Sequence, residues 1–220
     1  MNNKITNSNS INNNIKAPFS FTSNSNKNLV DGLPDCLKKI LKEAHNDTYE
    51  QLWKRVDSCS EILDGFNRVD NSLYKYGNYF LKITVSPEIE TCEYLLPRLK
   101  EKGINIAPEY VGSVVTKEGF GLLICSVDGA KNSDMLTFNQ HRRLVPQSSK
   151  KRCYQDIKKL IDLNIGNYQL MCQEKLYITP DKEHNFVCFD WNDLYNMEQS
   201  DASAKKEILD RFYSKLFCEV

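Results

Sequence analysis

Lys175-Leu-Tyr-Ile-Thr-Pro-Asp-Lys-Glu-His-Asn-Phe-Val-Cys-Phe-Asp190-Trp191 sets two short apolar strands around a polar turn, and the second strand ends on an acid, Asp190. An acid fixed at a strand end can hold a metal ion. Upstream, Tyr79-Phe80-Leu81-Lys82-Ile83 buries a lysine inside another apolar strand. A lysine and an acid on separate hairpins are what a nucleotide site needs: a cation for phosphates and an anion for Mg²⁺.

The rest of the chain is patterned around these hairpins. A two-residue Gly77-Asn78 link joins Leu73–Tyr76 to Tyr79–Ile83, because both link residues tolerate positive φ. Ser86-Pro87 opens a helix, with Ser86 as its N-cap. Ile89, Cys92, Leu95, Leu96 and Leu99 form its apolar face, and Lys102-Gly103 ends it. Pro97 predicts a kink or a shorter helix. A second hairpin follows over Tyr110–Val115 and Phe120–Val127. Helices are expected over 34–53, 49–56, 148–163 and 202–217, and a first strand over 60–63.

These elements make an α+β layout: a sheet-rich first lobe with one main helix, and a smaller, mainly helical second lobe. The expected divisions are an Asn/Ser-rich disordered tail (1–30), a helical segment (31–57), the first lobe (58–129) and the second lobe (130–220). The tail holds ten Asn and five Ser, too little apolar surface to offset its ordering entropy.

The 29 basic and 29 acidic residues cancel, so charge makes no case for nucleic acid or for an acidic membrane surface. No apolar run approaches the ~20 residues of a membrane span, and the first residues lack a signal-peptide core. Eight cysteines lie at least 16 residues apart, which excludes finger-like metal spacing and favours free thiols. An intracellular location, cytoplasmic or nuclear, is the expectation, with a protein as the only class of macromolecular partner and no structural metal. The three histidines (45, 141 and 184) are scattered, and no serine elbow or zinc-protease motif occurs.

Over about residues 58–200 the order of these segments resembles the protein-kinase-like superfamily, in particular its aminoglycoside/choline-kinase-like and fungal kinase-like branches. The resemblance assigns Lys82 to the strand lysine that meets nucleotide phosphates. It assigns Glu93, in Glu93-Tyr-Leu-Leu96, to the helix glutamate that pairs with that lysine; Glu90 is the alternative. Gly121-Leu-Leu-Ile-Cys-Ser-Val-Asp128 resembles the fifth strand and hinge, which would place Cys125 to Val127 along an adenine edge. Asp190, followed by Trp191, resembles the metal-binding acid. ATP and Mg²⁺ are the implied cofactors.

The pattern also departs from the family. Leu63-Asp-Gly65-Phe-Asn67-Arg-Val-Asp-Asn has no glycine-rich phosphate loop. Two registers remain for the catalytic loop. One sets Leu163-Asn-Ile-Gly-Asn167-Tyr-Gln169-Leu170 on the family's loop. The family histidine then becomes Asn167 and the catalytic aspartate becomes Gln169, which cannot take a proton. The other uses Asp162 and Asn167 as the catalytic Asp and metal Asn, but it strands Asp162 at a helix end. Only 30 residues follow Asp190, room for one helix rather than a peptide-substrate platform. The favoured expectation is a kinase-like binding or regulatory module without catalysis, keeping a residual nucleotide site. The alternatives are an atypical small-molecule phosphotransferase using Asp162 and Asn167, and a structural remnant that binds no nucleotide.

Overall fold

Five strands alternate apolar side chains between two faces, and that alternation lets one sheet serve two cores. The computed structural model describes residues 29–130, 136–137, 142–168, 170, 176–179 and 185–217. Residues 1–28 of the expected 1–30 tail, Gln169, His141, His184 and the turn at 180–184 lie outside the described residues, while Leu29 and Val30, the last two of that expected tail, are helical. The sheet comprises β1 (Phe66–Asp70), β2 (Leu73–Tyr76), β3 (Tyr79–Val85), β4 (Glu109–Val115) and β5 (Phe120–Ser126). All neighbours pair antiparallel in the order β1-β2-β3-β5-β4. The Gly77-Asn78 hairpin link is as the sequence predicts, with Gly77 at φ 57°.

On one face, Leu81 and Ile83 of β3 meet two helices, α1 (Asp35–Glu43) and α2 (Tyr49–Ile62), through Leu37, Ile40, Leu52 and Val56. The stretch 34–53 is therefore not one helix. A 3₁₀ turn over Ala44–Asn46 interrupts it, and Thr48 restarts the chain with a capping box to Gln51. Nor is 60–63 a strand. The buried stripe Leu52, Val56, Cys59 has helical spacing, so packing carries α2 on to Ile62.

On the opposite face lies α3 (Ser86–Glu101), which buries the predicted apolar set Ile89, Cys92, Leu95, Leu96 and Leu99. Val85, not Ser86, is its N-cap; Ser86 Oγ instead donates to Glu90 at 2.9 Å. The helix runs through Pro97 without ending, because Leu96 and Leu99 anchor both sides of it in the core. Gly103, at φ 65°, stops it, with Ile104 N–H returning to Leu99 O at 2.9 Å.

The second lobe holds α4 (Gln147–Asp162) and α5 (Ala202–Phe217), joined by Tyr154 packing on Tyr213 and Phe217. Three small strands, β6 (Leu136–Thr137), β8 (Leu176–Ile178) and β9 (Phe186–Cys188), form one sheet, and β7 (Ile165–Asn167) pairs with β10 (Leu194–Asn196). The lobes share a continuous core in which α3 and β5 meet α4, β9 and the fully buried Trp191. Buried Asp156 of α4 adds a polar tie, accepting the N–H groups of Asn105 and Ile106 at 2.7 and 3.1 Å. Among the described residues no helix is long and apolar enough to cross a membrane.

One glycine marks how closely β4, β5 and α3 approach. A Cβ at Gly121 would lie 2.1 Å from the Val114 carbonyl and 2.6 Å from Ile89 Cδ1. Gly121→Ala is expected to lower unfolding free energy by ~1–3 kcal/mol. Gly119→Asn, at a positive-φ turn position with open space, is expected to be nearly neutral. Urea denaturation of the two variants checks the contrast.

Candidate functional site

Lys82 points from β3 to the cleft face, since Leu81 and Ile83 on either side of it face the helices. α3 begins at once after β3, so its first turn stands over Lys82. That turn carries Glu88, which is 1% exposed. Lys82 Nζ donates to Glu88 Oε1 at 2.6 Å, to Asp190 Oδ1, and to the Phe189 carbonyl at 3.4 Å. Glu88 is fully used: Oε1 also accepts Trp191 N–H at 3.1 Å, and Oε2 accepts the Thr84 hydroxyl.

The glutamate that meets Lys82 is thus Glu88 and not Glu93. Glu93 is exposed on α3, and Glu90 is exposed with Ser86 as its partner. The sequence held a signal for this: Glu88 stands one turn before Cys92, in line with Leu95 and Leu99. A carboxylate on an apolar helix stripe needs a buried cation.

Asp190 is where the sequence places it, just beyond β9. Asn167 of β7 fixes its backbone, donating from Nδ2 to the Asp190 carbonyl at 2.8 Å. The same side chain accepts Leu170 N–H at 3.0 Å, so both polar atoms of the fully buried Asn167 side chain are engaged. Asp162 is the last residue of α4 and is exposed.

Burial of the Lys82 ammonium works against its charge; the Glu88 and Asp190 carboxylates outweigh that and hold it above its ordinary value. All three of its donor directions are taken.

The hinge positions are also committed. Val127 N–H, on the edge where an adenine would be read, donates to Asn78 O at 3.0 Å. Cys125 is locked in the sheet between Phe80 and Tyr110, its thiol pushed up to about 12 by burial. Between hinge and Asp190, the rings of Phe80 and Phe189 stack with centroids 4.6 Å apart, and Tyr177 packs edge-on against Phe189 at 5.6 Å. Leu73, Val127 and Ala130 complete this plug. The space left beside Phe80, Phe189 and Lys82 is about 10 Å³, room for one water where ligand pockets run to ~300–1,000 Å³. Sequence reading missed the plug because Phe80 and Phe189 look like ordinary strand residues until the two lobes close on each other.

Nucleotide and metal fit poorly here. The lysine and hinge donors are engaged, Asp190 faces Lys82, and among the described residues no group of three or more His, Cys, Asp or Glu could hold a metal ion.

No family model matches the chain, and no curated protein matches it. Among solved structures it is similar to the Cydia pomonella granulovirus kinase PK-1, at 18% identity and a TM-score of 0.42, over 67% of this chain and 57% of that one. The chain therefore spans little more than half of that kinase's length. The described residues themselves display a five-stranded antiparallel sheet, a helix directly after β3, the Lys82–Glu88 pair across them, and Asp190 just beyond β9.

Breaking this network would strand buried charge. Lys82→Met, which leaves Glu88 and Asp190 uncompensated, is expected to cost ~3–5 kcal/mol. The raised Lys82 value sets the sign of the pH effect. The contribution is complete below the ordinary lysine value of 10.5 and is lost only as pH climbs through the higher folded value. Denaturant titrations of wild type and variant at neutral and strongly alkaline pH should show their difference shrinking only at the alkaline end.

Proposed function

We propose that this protein is a kinase-like binding module that neither transfers phosphate nor takes a nucleotide in its cleft. The observation that carries the reading is the Phe80–Phe189 stack, which occupies the space between hinge and Asp190. The polar groups agree with it. Lys82 is spent on Glu88, Asp190 and a carbonyl, so meeting a phosphate would mean breaking a buried ion pair. Asn167 is spent on the Asp190 and Leu170 backbones. In this reading the ion network joins the lobes, and the module acts through its outer surface on a protein partner.

The phosphotransferase alternative draws no support from geometry. Asp162 is exposed at a helix end, and both polar side-chain atoms of Asn167 are engaged with backbone groups. The register that puts Gln169 at the catalytic position is favoured, since Asn167 grips the Asp190 backbone two residues before it.

Thermal unfolding with Mg²⁺ and ATP is the direct test. A ligand at a hundred-fold excess over its Kd stabilises the folded state by about 2.7 kcal/mol. No shift is expected at millimolar ATP, and no phosphate transfer from labelled ATP. A saturable upward shift abolished by Lys82→Arg would overturn the closed-cleft reading; turnover would overturn the non-catalytic one.

A further inference from the structure

A second cavity opens where the ends of β4 and β5 meet α4; among the described residues it shares only Pro108 with the filled cleft. Its volume is about 160 Å³. That is room for a small molecule rather than a nucleotide, since drug-sized ligands take ~300–1,000 Å³. Four charged side chains border it, and they are sorted by sign. Glu109 begins β4, and Asp128 follows β5 just beyond Ser126, the strand partner of Glu109. Lys100 lies in the last turn of α3, and Arg152 in the second turn of α4. The sheet side of the cavity is therefore acidic and the helical side basic.

These charges do not neutralise one another. Among the described residues Lys100, Glu109 and Asp128 make no side-chain hydrogen bond or ion pair, although they border the same space. Arg152 is held in position by two elements: its Nη2 donates to Ser149 Oγ at 3.1 Å and to Asn185 Oδ1 at 3.3 Å. Asp156, also in the wall, is committed elsewhere. It accepts the Asn105 and Ile106 N–H groups and meets Lys159 Nζ at 3.4 Å. Ala107, Pro108 and Phe186 supply a buried apolar wall.

We propose that this cavity binds a small zwitterion, a free α-amino acid with an apolar side chain. A lone anion would answer Lys100 and Arg152 but bring a third negative charge up to Glu109 and Asp128; a lone cation would do the converse. A ligand carrying both charges answers both sides. Its ammonium group turns to Glu109 and Asp128. Its carboxylate turns to Lys100 and to the Arg152 guanidinium, whose planar fork matches two carboxylate oxygens. Its side chain lies on the apolar wall. Glu109 and Asp128 come from the first lobe's sheet and Arg152 from the second lobe, so the ligand ties the lobes together. It stabilises the folded chain by mass action.

The experiment is thermal unfolding of the full chain, with calorimetric titration, against millimolar L-valine, L-leucine, L-methionine and L-phenylalanine. The expected result is a saturable rise in melting temperature with at least one of them. The N-acetyl derivative of that amino acid lacks the cation and its amide lacks the anion, so neither should raise the melting temperature. Glu109→Gln and Lys100→Met should each weaken its binding about tenfold and leave the melting temperature of the ligand-free protein almost unchanged. No shift from any of the four amino acids, equal shifts from the N-acetyl and amide derivatives, or unchanged binding by both variants would overturn the proposal. The comparison of derivatives uses wild-type protein and stands even if a variant folds poorly.

Discussion

Lys82 Nζ meets groups from two elements of the molecule: Glu88 from the first turn of α3, and Phe189 O and Asp190 from the end of β9. A buried ammonium is tolerable only when carboxylates surround it and their remaining lone pairs are also satisfied. Thr84 and Trp191 N–H supply that satisfaction at Glu88, and Asn167 holds the backbone of Asp190 in position. Removing Lys82 leaves two carboxylates without their cation, so the set acts as a unit. It also fixes how the two lobes meet, because β3 and α3 belong to one lobe and Asp190 and Asn167 to the other.

Apolar packing closes around that ion set. Trp191 lies next to Asp190 in the chain, is fully buried, and donates its indole N–H to Cys188 O at 2.9 Å. Phe189, on the other side of Asp190, stacks on Phe80, two residues before Lys82. The residues flanking the two charged groups are therefore the ones that fill the cleft. In a nucleotide site the same backbone positions would leave room for a base, and here aromatic rings occupy it. The ion pairs lose competing water and the rings gain contact area, so closure and pairing reinforce each other.

Much of the architecture was legible because it rests on local rules. Gly77-Asn78, the apolar stripe of α3, the Gly103 stop and the helix over 202–217 follow from φ preferences and 3.6-residue spacing. The structure departs from the local signal where a tertiary contact outweighs it. The short, mixed stretch 60–63 has the local signal of a strand, whereas Cys59 packs under the sheet and prolongs the helix. Serine is a common cap, yet the helix starts directly from the extended Val85, with Ser86 already inside.

The candidate site divides the same way. Lys82 and Asp190 could be named from sequence because each interrupts an apolar strand or ends one, and a charge in that setting needs a reason. The identity of the glutamate could not be settled by motif, since Glu88, Glu90 and Glu93 all lie on one helix within two turns. Only the packing of α3 against β3 turns Glu88 inward and leaves the other two in water. The plug of Phe80 and Phe189 was invisible for a related reason: the residues lie 109 positions apart and meet only when β3 and β9 are brought face to face. By itself the sequence determined most of the strands and helices and singled out Lys82 and Asp190 as charges that need partners, because those follow from spacing and burial cost along the chain. Tertiary structure alone decided which carboxylates neutralise the lysine and whether the cleft between the lobes is open or filled, because both depend on side chains that converge from distant parts of the chain.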